Sequence, residues 1–333
     1  MSPGEPPGGP SRREVLRWGA LGVAAAALGL PVQAGATPGR AGGRMDGENL
    51  FLWAGTMRTA SIDERIRGMR AAGMREMSIF PLDFRRAREA GLKDADLRAK
   101  LSGNGVRIST LDPFSQWLPG WERPATLSDE DFAFYNFGED EFFRMAEALG
   151  ATSMTVIEPY GRDVPAELGA EAFARVCDRA ATLGMRVHLE FIPFTGIPDL
   201  ARGWDIVRLA DRPNGGLVMD VWHYFLGRPD EALLRTVPGE KIFVVQLSDA
   251  ARGARGTIED LYKRLSPGEG VFDLVGVLRT LNAIGGLTSV GPEIFSEQYN
   301  RLAPEEAGRR AAATTLAVLD RALGPRGSAA GGV

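Results

Sequence analysis

Helix-like segments, glycines and short apolar runs alternate along the chain from about residue 49 onward. The order of helix, Gly and apolar run appears in RIRGMRAAGMREMSIF, LRAKLSGNGVRISTLD, MAEALGATSMTVIEP, RAATLGMRVHLEF and LRTLNAIGGLTSVGPEI. Glycine often closes a helix in the left-handed conformation, and a continuous apolar run suits a strand that is buried on both faces. The pattern therefore predicts repeated helix–strand units joined by short loops.

Eight apolar runs are predicted to form strands. They are Leu50–Ala54, Glu76–Phe80, Val106–Leu111, Ser153–Glu158, Arg186–Phe191, Leu217–Val221, Ile242–Leu247 and Thr288–Glu293. Eight strands that alternate with helices in a chain of this size are typical of a closed (β/α)8 barrel. The alternative is a doubly wound open sheet, but no Gly-rich dinucleotide turn follows the first strand. We therefore predict an α/β fold, a single-domain TIM barrel over residues 49–323.

The first predicted helix carries its own start signal. Ser61 can cap the helix, with Glu64 three residues later, which is the pattern of a capping box. Ile62, Ile66 and Met69 then share one face of the helix and are predicted to face the core.

Residues 1–36 are predicted to be a twin-arginine signal peptide. Arg12 and Arg13 precede WGALGVAAAALGL, an apolar stretch that is too short to span a bilayer, and small residues follow it. Residues 37–48 are predicted to be a linker and residues 324–333 a flexible tail. We expect the twin-arginine (Tat) translocase to export the chain to the periplasm or the exterior, with no stable membrane insertion after signal removal. The alternative is a poorly ordered N-terminal arm.

The composition excludes several classes of protein. A formal net charge of −4 without a basic tract disfavours nucleic acid as a partner. Cys177 is the only cysteine, so no intrachain disulfide can form. His188 and His223 are the only histidines, which excludes a zinc site built on three His side chains. A hydrophobic content of 44% suffices for one large core or two small ones.

The last four predicted strands each end in a polar side chain. These side chains are Glu190, Asp220, Gln246 and Glu293. The carboxyl ends of barrel strands meet at one mouth, where three carboxylates in a dry site would take up protons unless a cation holds them ionised. Oxygen ligands favour Mg²⁺ or Mn²⁺, so we predict one of these ions with Gln246 as an uncharged fourth donor. Taken singly, each residue could instead cap a helix or pair with a loop arginine.

Five motifs resemble those of the xylose isomerase-like TIM barrels, the sugar phosphate isomerase/epimerase superfamily. They are HLEF, MDVWH, VVQLSDAARG, SPGEG and GPEIF, and the similarity extends from about Asn49 to Leu323. The resemblance implies that Glu190, Asp220 and Glu293 bind a metal ion. It also implies that the PGEG segment forms the loop before the seventh helix, with glycines that shape the loop.

The resemblance extends to substrate-binding residues, with one departure. His223, three residues after the metal-binding Asp, is implied to contact substrate or act as a base. Arg252, six residues after Gln246, matches an arginine that binds substrate oxygens in ketose epimerases. These epimerases usually have His where this chain has Gln246. A Gln in a QLxDA setting resembles the bacterial 3-dehydroshikimate dehydratases of the same superfamily.

Three functional hypotheses remain open at this stage. The favoured hypothesis is a metal-dependent isomerase or epimerase. In this enzyme Glu190 and Glu293 would exchange a proton at the carbon next to the carbonyl of a small sugar, and the metal would stabilise the enediolate. In a lyase, acting on a cyclic polyol, keto acid or keto-glycoside, His223 would be the base and a β-hydroxyl or alkoxy group would leave. The third hypothesis is an exported sugar-binding protein without catalysis.

Three further residues are predicted to bind substrate. Glu158 ends the fourth strand, although it could pair with Arg162 instead, and Trp222 follows the sixth strand. Trp117 lies in a long aromatic connection after the third strand, and long loops over a barrel mouth are often functional lids. The same aromatic residues could instead pack over the rim or form the interface of a homo-oligomer. His188 is expected to be a core histidine.

Overall fold

The computed structural model describes residues 49–125 and 127–324, which form a (β/α)8 barrel. The eight strands are β1 Phe51–Leu52, β2 Glu76–Ile79, β3 Arg107–Phe114, β4 Ser153–Val156, β5 Arg186–Glu190, β6 Gly215–Asp220, β7 Ile242–Leu247 and β8 Val290–Pro292. Each strand pairs in parallel with the next one in the chain. A parallel bridge between Leu50 and Val290 brings the first strand against the last. The predicted TIM barrel is confirmed, and the open-sheet alternative is excluded.

Helices follow the strands around the outside of the barrel. They are α1 Ile62–Ala72, α2 Pro81–Glu89, α3 Asp94–Gly103, α4 Asp129–Tyr135, α5 Glu139–Leu149, α6 Ala166–Ala181, α7 Leu200–Ala210, α8 Val221–Leu226, α9 Glu231–Leu234, α10 Ile258–Leu261, α11 Leu274–Ala283 and α12 Pro304–Leu323. None of the helices in the described ranges is long and apolar enough to cross a membrane. The predicted signal peptide and linker, and all but the first residue of the predicted tail, lie outside the described residues.

The start of α1 follows the predicted capping box. The Ser61 hydroxyl accepts from the Glu64 N–H, and the Glu64 carboxylate accepts from the Ser61 N–H at 2.8 Å. Ile66 and Met69 are buried on one face, and Gly73 ends the helix with a φ of 74°. The local pattern therefore sets both ends of this helix.

Seven of the eight strands differ from their predicted ranges, and only β7 has the predicted bounds. β1 and β8 are the most shortened, since a 3-10 turn begins at Ala54 just after β1 and β8 begins only at Val290. β3 is longer and extends past Pro113 to Phe114, with a shift of register between Leu111 and Phe114. The proline is tolerated because the pairing is interrupted where its missing donor would be needed.

The apolar core has two parts. The larger part fills the space between the strands and the outer helices. A separate cluster joins Phe51, Trp53, Val218 and Val244, which come from β1, β6 and β7 and from the residue just after β1. Since β1 is not the neighbour of β6 or β7, these side chains meet across the barrel interior. They form an apolar floor inside the barrel beneath the strand ends.

Candidate active site

Gln246 lies among the three carboxylates predicted to accompany it. With its amide nitrogen oriented to donate, that nitrogen is 3.0 Å from Glu293 Oε2, 3.1 Å from Asp220 Oδ2 and 3.2 Å from Glu190 Oε1. All four side chains are buried. The structure therefore brings together the four strand-end residues, as the sequence analysis expected, and gives the buried Gln246 amide three hydrogen-bond partners.

Strand register explains why these side chains meet. Asp220 pairs with Gln246 across β6 and β7, and Gln246 pairs with Gly291 across β7 and β8. Residues in register on neighbouring parallel strands point to the same face, and a residue two positions further along does so again. Glu293 therefore shares the inward face with Gly291. Glu190 enters from β5, where it ends the strand.

Burial and mutual repulsion keep two of these carboxyls protonated. Burial, followed by the charge of Asp220, raises the pKa of Glu190 to about 8. Burial and the charge of Glu190 likewise hold the pKa of Glu293 well above its usual value. Burial alone would raise the pKa of Asp220, but Arg264 and His223 outweigh it and the pKa is lowered. The site therefore holds protons that a bound cation would displace.

The metal-free protein should lose stability as the pH rises from about 6.5 to 8.5. Glu190 has a folded-state pKa of about 8 against 4.5 ordinarily, so its stabilising contribution is complete below 4.5 and lost as the pH rises through 8. The histidines do not offset this, because the lowered pKa values of His188 and His223 affect stability only below 6.5. We expect a loss of about 2 kcal/mol in the free energy of unfolding.

Chemical denaturation of EDTA-treated protein at both pH values measures this loss. Glu190→Gln should weaken the dependence, since one titrating carboxyl is gone while Glu293 and Asp112, whose pKa values are also held above the usual value, remain. Equal or greater stability of the wild type at pH 8.5 would contradict the protonated state of the site.

The donor set fits a divalent cation. Three carboxylate oxygens surround one amide, and a half-turn of that amide presents oxygen instead of nitrogen to the same place. A second donor set also fits, because ligand atoms of Glu190, Asp220 and His223 lie within 4.8 Å of one another. The two sets differ in whether Gln246 or His223 completes the coordination, and imidazole favours zinc more than an amide oxygen does.

Arg264 is a site residue that the sequence analysis missed. Its Nη1 donates to Asp220 Oδ2 at 2.7 Å and to the Glu293 backbone oxygen at 3.2 Å. Its Nη2 is 3.2 Å from His223 Nε2. The side chain is almost fully buried, with its guanidinium 4.8 Å above the Trp222 ring. A permanent positive charge thus lies inside the carboxylate cluster.

The loop after β7 carries Arg264 back across the mouth. Leu265 forms an antiparallel bridge with Asp249, and the Arg264 N–H donates to the Phe295 carbonyl at 3.0 Å. The buried Asp249 carboxylate accepts three backbone N–H groups of this loop, among them that of Gly268 at 3.1 Å. The SD pair after Gln246 and the PGEG glycines therefore shape the loop. The one feature of the sequence that could have pointed to Arg264 is its position three residues before Pro267, the first residue of the PGEG segment.

His223 reaches the site through Nε2. This atom lies 3.4 Å from Glu190 Oε1 and 3.5 Å from Asp220 Oδ2, besides its contact with Arg264. Because a guanidinium can only donate, the shorter Arg264 contact requires an unprotonated Nε2. Burial lowers the pKa of His223 to about 3, and Arg264 adds to this effect while Asp220 opposes it. The imidazole is therefore neutral, with its Nε2 lone pair directed into the site.

The predicted substrate contacts after β6 and β7 are placed differently. Arg252 is exposed and lines a surface cleft together with Trp222 and Lys263. The residue six positions after Gln246 therefore lies on the surface. The arginine of this loop that reaches the carboxylates is Arg264. Trp222 is fully buried and its ring lies beneath the Arg264 guanidinium. Trp222 supports Arg264 rather than offering a free ring face.

Glu158 and Trp117 also have partners within the protein. The Glu158 carboxylate accepts from the N–H groups of Tyr160 at 3.0 Å, Gly161 at 3.0 Å and Gly196 at 2.7 Å. It thereby joins the loop after β4 to the loop after β5, and no hydrogen bond or ion pair to Arg162 is found in the described residues. Trp117 is 4% exposed, donates to the Ile157 carbonyl at 2.8 Å and packs against Phe173 on α6. These contacts argue against the predicted substrate-binding roles of both residues.

Asp112 is a second site residue that the sequence analysis missed. It ends the inward face of β3, is buried, and is near enough to Glu190 for the two charges to interact. Burial and the charge of Glu190 hold its pKa well above the usual value. Inspection of the last polar residue of β3, as was done for β4 to β8, would have found it. Asp112 adds a fourth carboxyl on another strand of the mouth.

Aromatic rings from the long connection after β3 pack along the rim of the mouth. Phe134, on the short helix α4, packs edge-on against Phe80 at 5.0 Å between ring centroids, and Phe80 lies 6.4 Å from Phe295. Tyr135 contacts Tyr160 at 5.9 Å. Burial is the main cause of a raised pKa of Tyr135, and the charge of Glu190 contributes to it. This contribution shows that the tyrosine lies near the site. The connection thus covers the rim beside the carboxylates.

Comparison with known proteins gives the family. Residues 66–320 match the model of the xylose isomerase-like TIM barrels, and the chain belongs to this family. A 3-dehydroshikimate dehydratase of Pseudomonas aeruginosa is 28% identical over 253 residues, which are 75% of this chain and 38% of that protein. An inosose isomerase of Bacillus licheniformis is 31% identical over 153 residues, which are 45% of this chain and 55% of that protein.

The chain spans 38% to 55% of the length of these two relatives. Both of these relatives are enzymes. Among solved structures, the IolI protein with a bound zinc atom superimposes with a TM-score of 0.69 at 22% identity. That alignment covers 82% of this chain and 98% of IolI, which supports the barrel fold.

Proposed function

We propose that this protein is a divalent-metal-dependent isomerase or epimerase of a small polyhydroxylated carbonyl compound. The observation that carries the proposal is the contact of one buried amide, Gln246, with Glu190, Asp220 and Glu293 at 3.0–3.2 Å. Such a set of oxygen donors at the mouth of the barrel suits a hard cation. The non-catalytic sugar-binding alternative does not require this arrangement.

In the proposed reaction the chain's own groups move the proton. Glu190 and Glu293 enter from β5 and β8 and would receive and return a proton at the carbon next to the substrate carbonyl. A bound divalent cation would polarise that carbonyl and stabilise the negative charge that develops on its oxygen. Arg264 would supply a second positive charge near the cation, and the aromatic rim would exclude water.

A second candidate is elimination of water from a cyclic keto acid. Gln246 and the 3-dehydroshikimate dehydratase relative, which covers 75% of the chain, favour it. In that reaction neutral His223, whose Nε2 lies 3.4 Å from Glu190, would be the base. The contact of Nε2 with Arg264 and the lowered pKa make His223 a weak base, so the structure favours the carboxylates as proton carriers.

The proposed cation is Mn²⁺ or Mg²⁺, bound by Glu190, Asp220, Gln246 and Glu293. The zinc in IolI makes Zn²⁺ the competing identity, with His223 in place of Gln246. Elemental analysis of protein purified without added metal, together with affinity for each ion, distinguishes them. Preferential zinc binding that survives Gln246→Leu but not His223→Ala would overturn the proposed ligand set.

Isotope exchange separates the two reactions. Inososes, ketoses and 3-dehydroshikimate should be incubated with the protein in D2O with Mn²⁺ and followed by NMR. We expect deuterium next to the carbonyl with all hydroxyls retained, because proton return by a carboxylate replaces the original hydrogen with a solvent-derived one. His223→Ala should keep most of this exchange, whereas Glu190→Gln should abolish it.

Other outcomes have definite meanings. Loss of water from 3-dehydroshikimate, abolished by His223→Ala, would replace the isomerase proposal with the dehydratase. Tight binding of a sugar without exchange or elimination would support the non-catalytic alternative.

A further inference from the structure

Arg264 and the proposed metal ions use the same oxygen atoms. Arg264 Nη1 donates to Asp220 Oδ2 at 2.7 Å, and Gln246 reaches this same oxygen at 3.1 Å. Nη1 is also 3.5 Å from Glu293 Oε2, which Gln246 reaches at 3.0 Å. The other oxygen of Asp220 is already engaged with the backbone, since it accepts from the N–H of Trp222 at 2.7 Å and caps α8.

Two cations cannot both keep close contact with one carboxylate oxygen at low cost. Like charges at a few ångströms in a poorly solvated site repel strongly, and each removes electron density that the other requires. The guanidinium also occupies space on the side of Asp220 that faces Glu293. A divalent ion that binds these oxygens must therefore lengthen or break the Arg264 contact.

We propose that Arg264 is an internal competitor for the metal site. In the metal-free protein it neutralises the ionised Asp220 and stabilises the cluster; on metal binding its guanidinium withdraws from Asp220 Oδ2. This inference rests on the proposed function only in that a divalent cation binds the cluster. It adds that the affinity for the cation is weakened by the cost of displacing Arg264.

The surroundings of Arg264 provide for such a withdrawal. Its guanidinium carbon lies 4.8 Å from the centroid of Trp222 and 5.2 Å from that of Phe295. Aromatic faces attract a guanidinium within about 6 Å. The Arg264 Nε has no hydrogen-bond partner among the described residues, so no hydrogen bond at this atom opposes a movement of the guanidinium. The charge therefore keeps favourable contacts when the carboxylate contact lengthens.

Replacing Arg264 with Gln gives opposite effects on stability and on metal affinity. The metal-free variant should melt at a lower temperature, because the ionised Asp220 loses its counter-charge. Its dissociation constant for Mn²⁺ should nevertheless fall by about tenfold, which corresponds to about 1.4 kcal/mol, since neighbouring groups that contact each other are energetically coupled. Calorimetric titration with Mn²⁺ after EDTA treatment measures the affinity, and differential scanning calorimetry measures the melting temperature.

Arg65 offers a matched control. It is 1% exposed and pairs with Asp83 at 2.5 Å, but it belongs to α1 and has no contact with the carboxylate cluster. Arg65→Gln should lower the melting temperature and leave the Mn²⁺ affinity unchanged. A merely structural role for Arg264 predicts the same behaviour for both variants.

A measurement on the wild type tests the inference even when Arg264→Gln does not fold. Crystal structures with and without Mn²⁺ should show the 2.7 Å contact between Nη1 and Asp220 Oδ2 lengthened in the metal-bound state. Weaker or unchanged Mn²⁺ binding by Arg264→Gln, or an unchanged contact with the ion bound, would overturn the competition. No Mn²⁺ binding by the wild type would instead remove the metal proposal itself.

Discussion

Changing Gln246 to Leu should lower the affinity for the divalent cation by on the order of 100-fold and abolish isotope exchange. Leucine is close to glutamine in size but offers no oxygen, so the coordination loses one donor. The three carboxylates also lose the amide that contacts them at 3.0–3.2 Å. Glu293→Gln should act in the same direction, because it removes one negative charge from the cluster. Calorimetric titration with Mn²⁺ measures both effects.

Gln116→Leu is a suitable control for this experiment. The Gln116 amide donates to Asn136 on the connection after β3 and makes no hydrogen bond to Glu190, Asp220 or Glu293 in the described residues, so metal affinity should not change. Gln246→His restores a donor and should recover binding with a shift of preference toward zinc. If the affinity is unchanged in both Gln246→Leu and Glu293→Gln, the four residues are not the metal ligands.

Gly291→Ala should strongly destabilise the barrel. A Cβ at Gly291 would lie 1.6 Å from the Phe51 carbonyl oxygen, at the seam where β8 meets β1. The Phe51 backbone cannot move aside as the end of a flexible side chain can. We therefore expect a loss of at least about 3 kcal/mol in the free energy of unfolding. Because Gly291 pairs with Gln246, the displaced seam should also weaken metal binding. Urea denaturation measures the stability.

Gly103→Ala is the matched control for that variant. Gly103 ends α3, and a Cβ there would meet no atom within 4 Å. Alanine in a helix is favoured over glycine, so this variant should be as stable as the wild type or more stable by about 0.5–1 kcal/mol. A Gly291→Ala protein that is equally stable would mean that the β8–β1 seam is not closed in the way described.

The barrel was predictable because its signals are local. Glycines such as Gly73 and Gly150 close helices with positive φ, and each is followed within a few residues by a buried strand. Strand ends were less predictable, as β1 and β8 show, because closure of the barrel decides where pairing begins and stops. The carboxyl-end rule of the fold then placed Glu190 and Gln246 at one mouth without knowledge of any distance.

The parts of the site that sequence reasoning missed depend on long-range contacts. Arg264 enters the mouth only because Asp249 pairs with Leu265 and folds the loop back. The resemblance to ketose epimerases selected Arg252, which lines a surface cleft on the same loop, and its role in substrate binding stays a prediction. Glu158 is a residue for which sequence position suggested a substrate contact and the structure shows contacts within the protein. It was predicted to bind substrate because it is a polar residue at a strand end, and its partners are backbone N–H groups of two loops.

The sequence by itself therefore determined the class of fold, the strand order and the side chains that end β5 to β8. These follow from periodicity and from the geometry common to all parallel barrels. Only the tertiary structure decided that a buried arginine occupies the carboxylate cluster and that Trp222 lies beneath it. The physical reason is that strand ends are fixed by hydrogen-bonded register, whereas the path of a long loop is fixed by contacts between residues far apart in the chain.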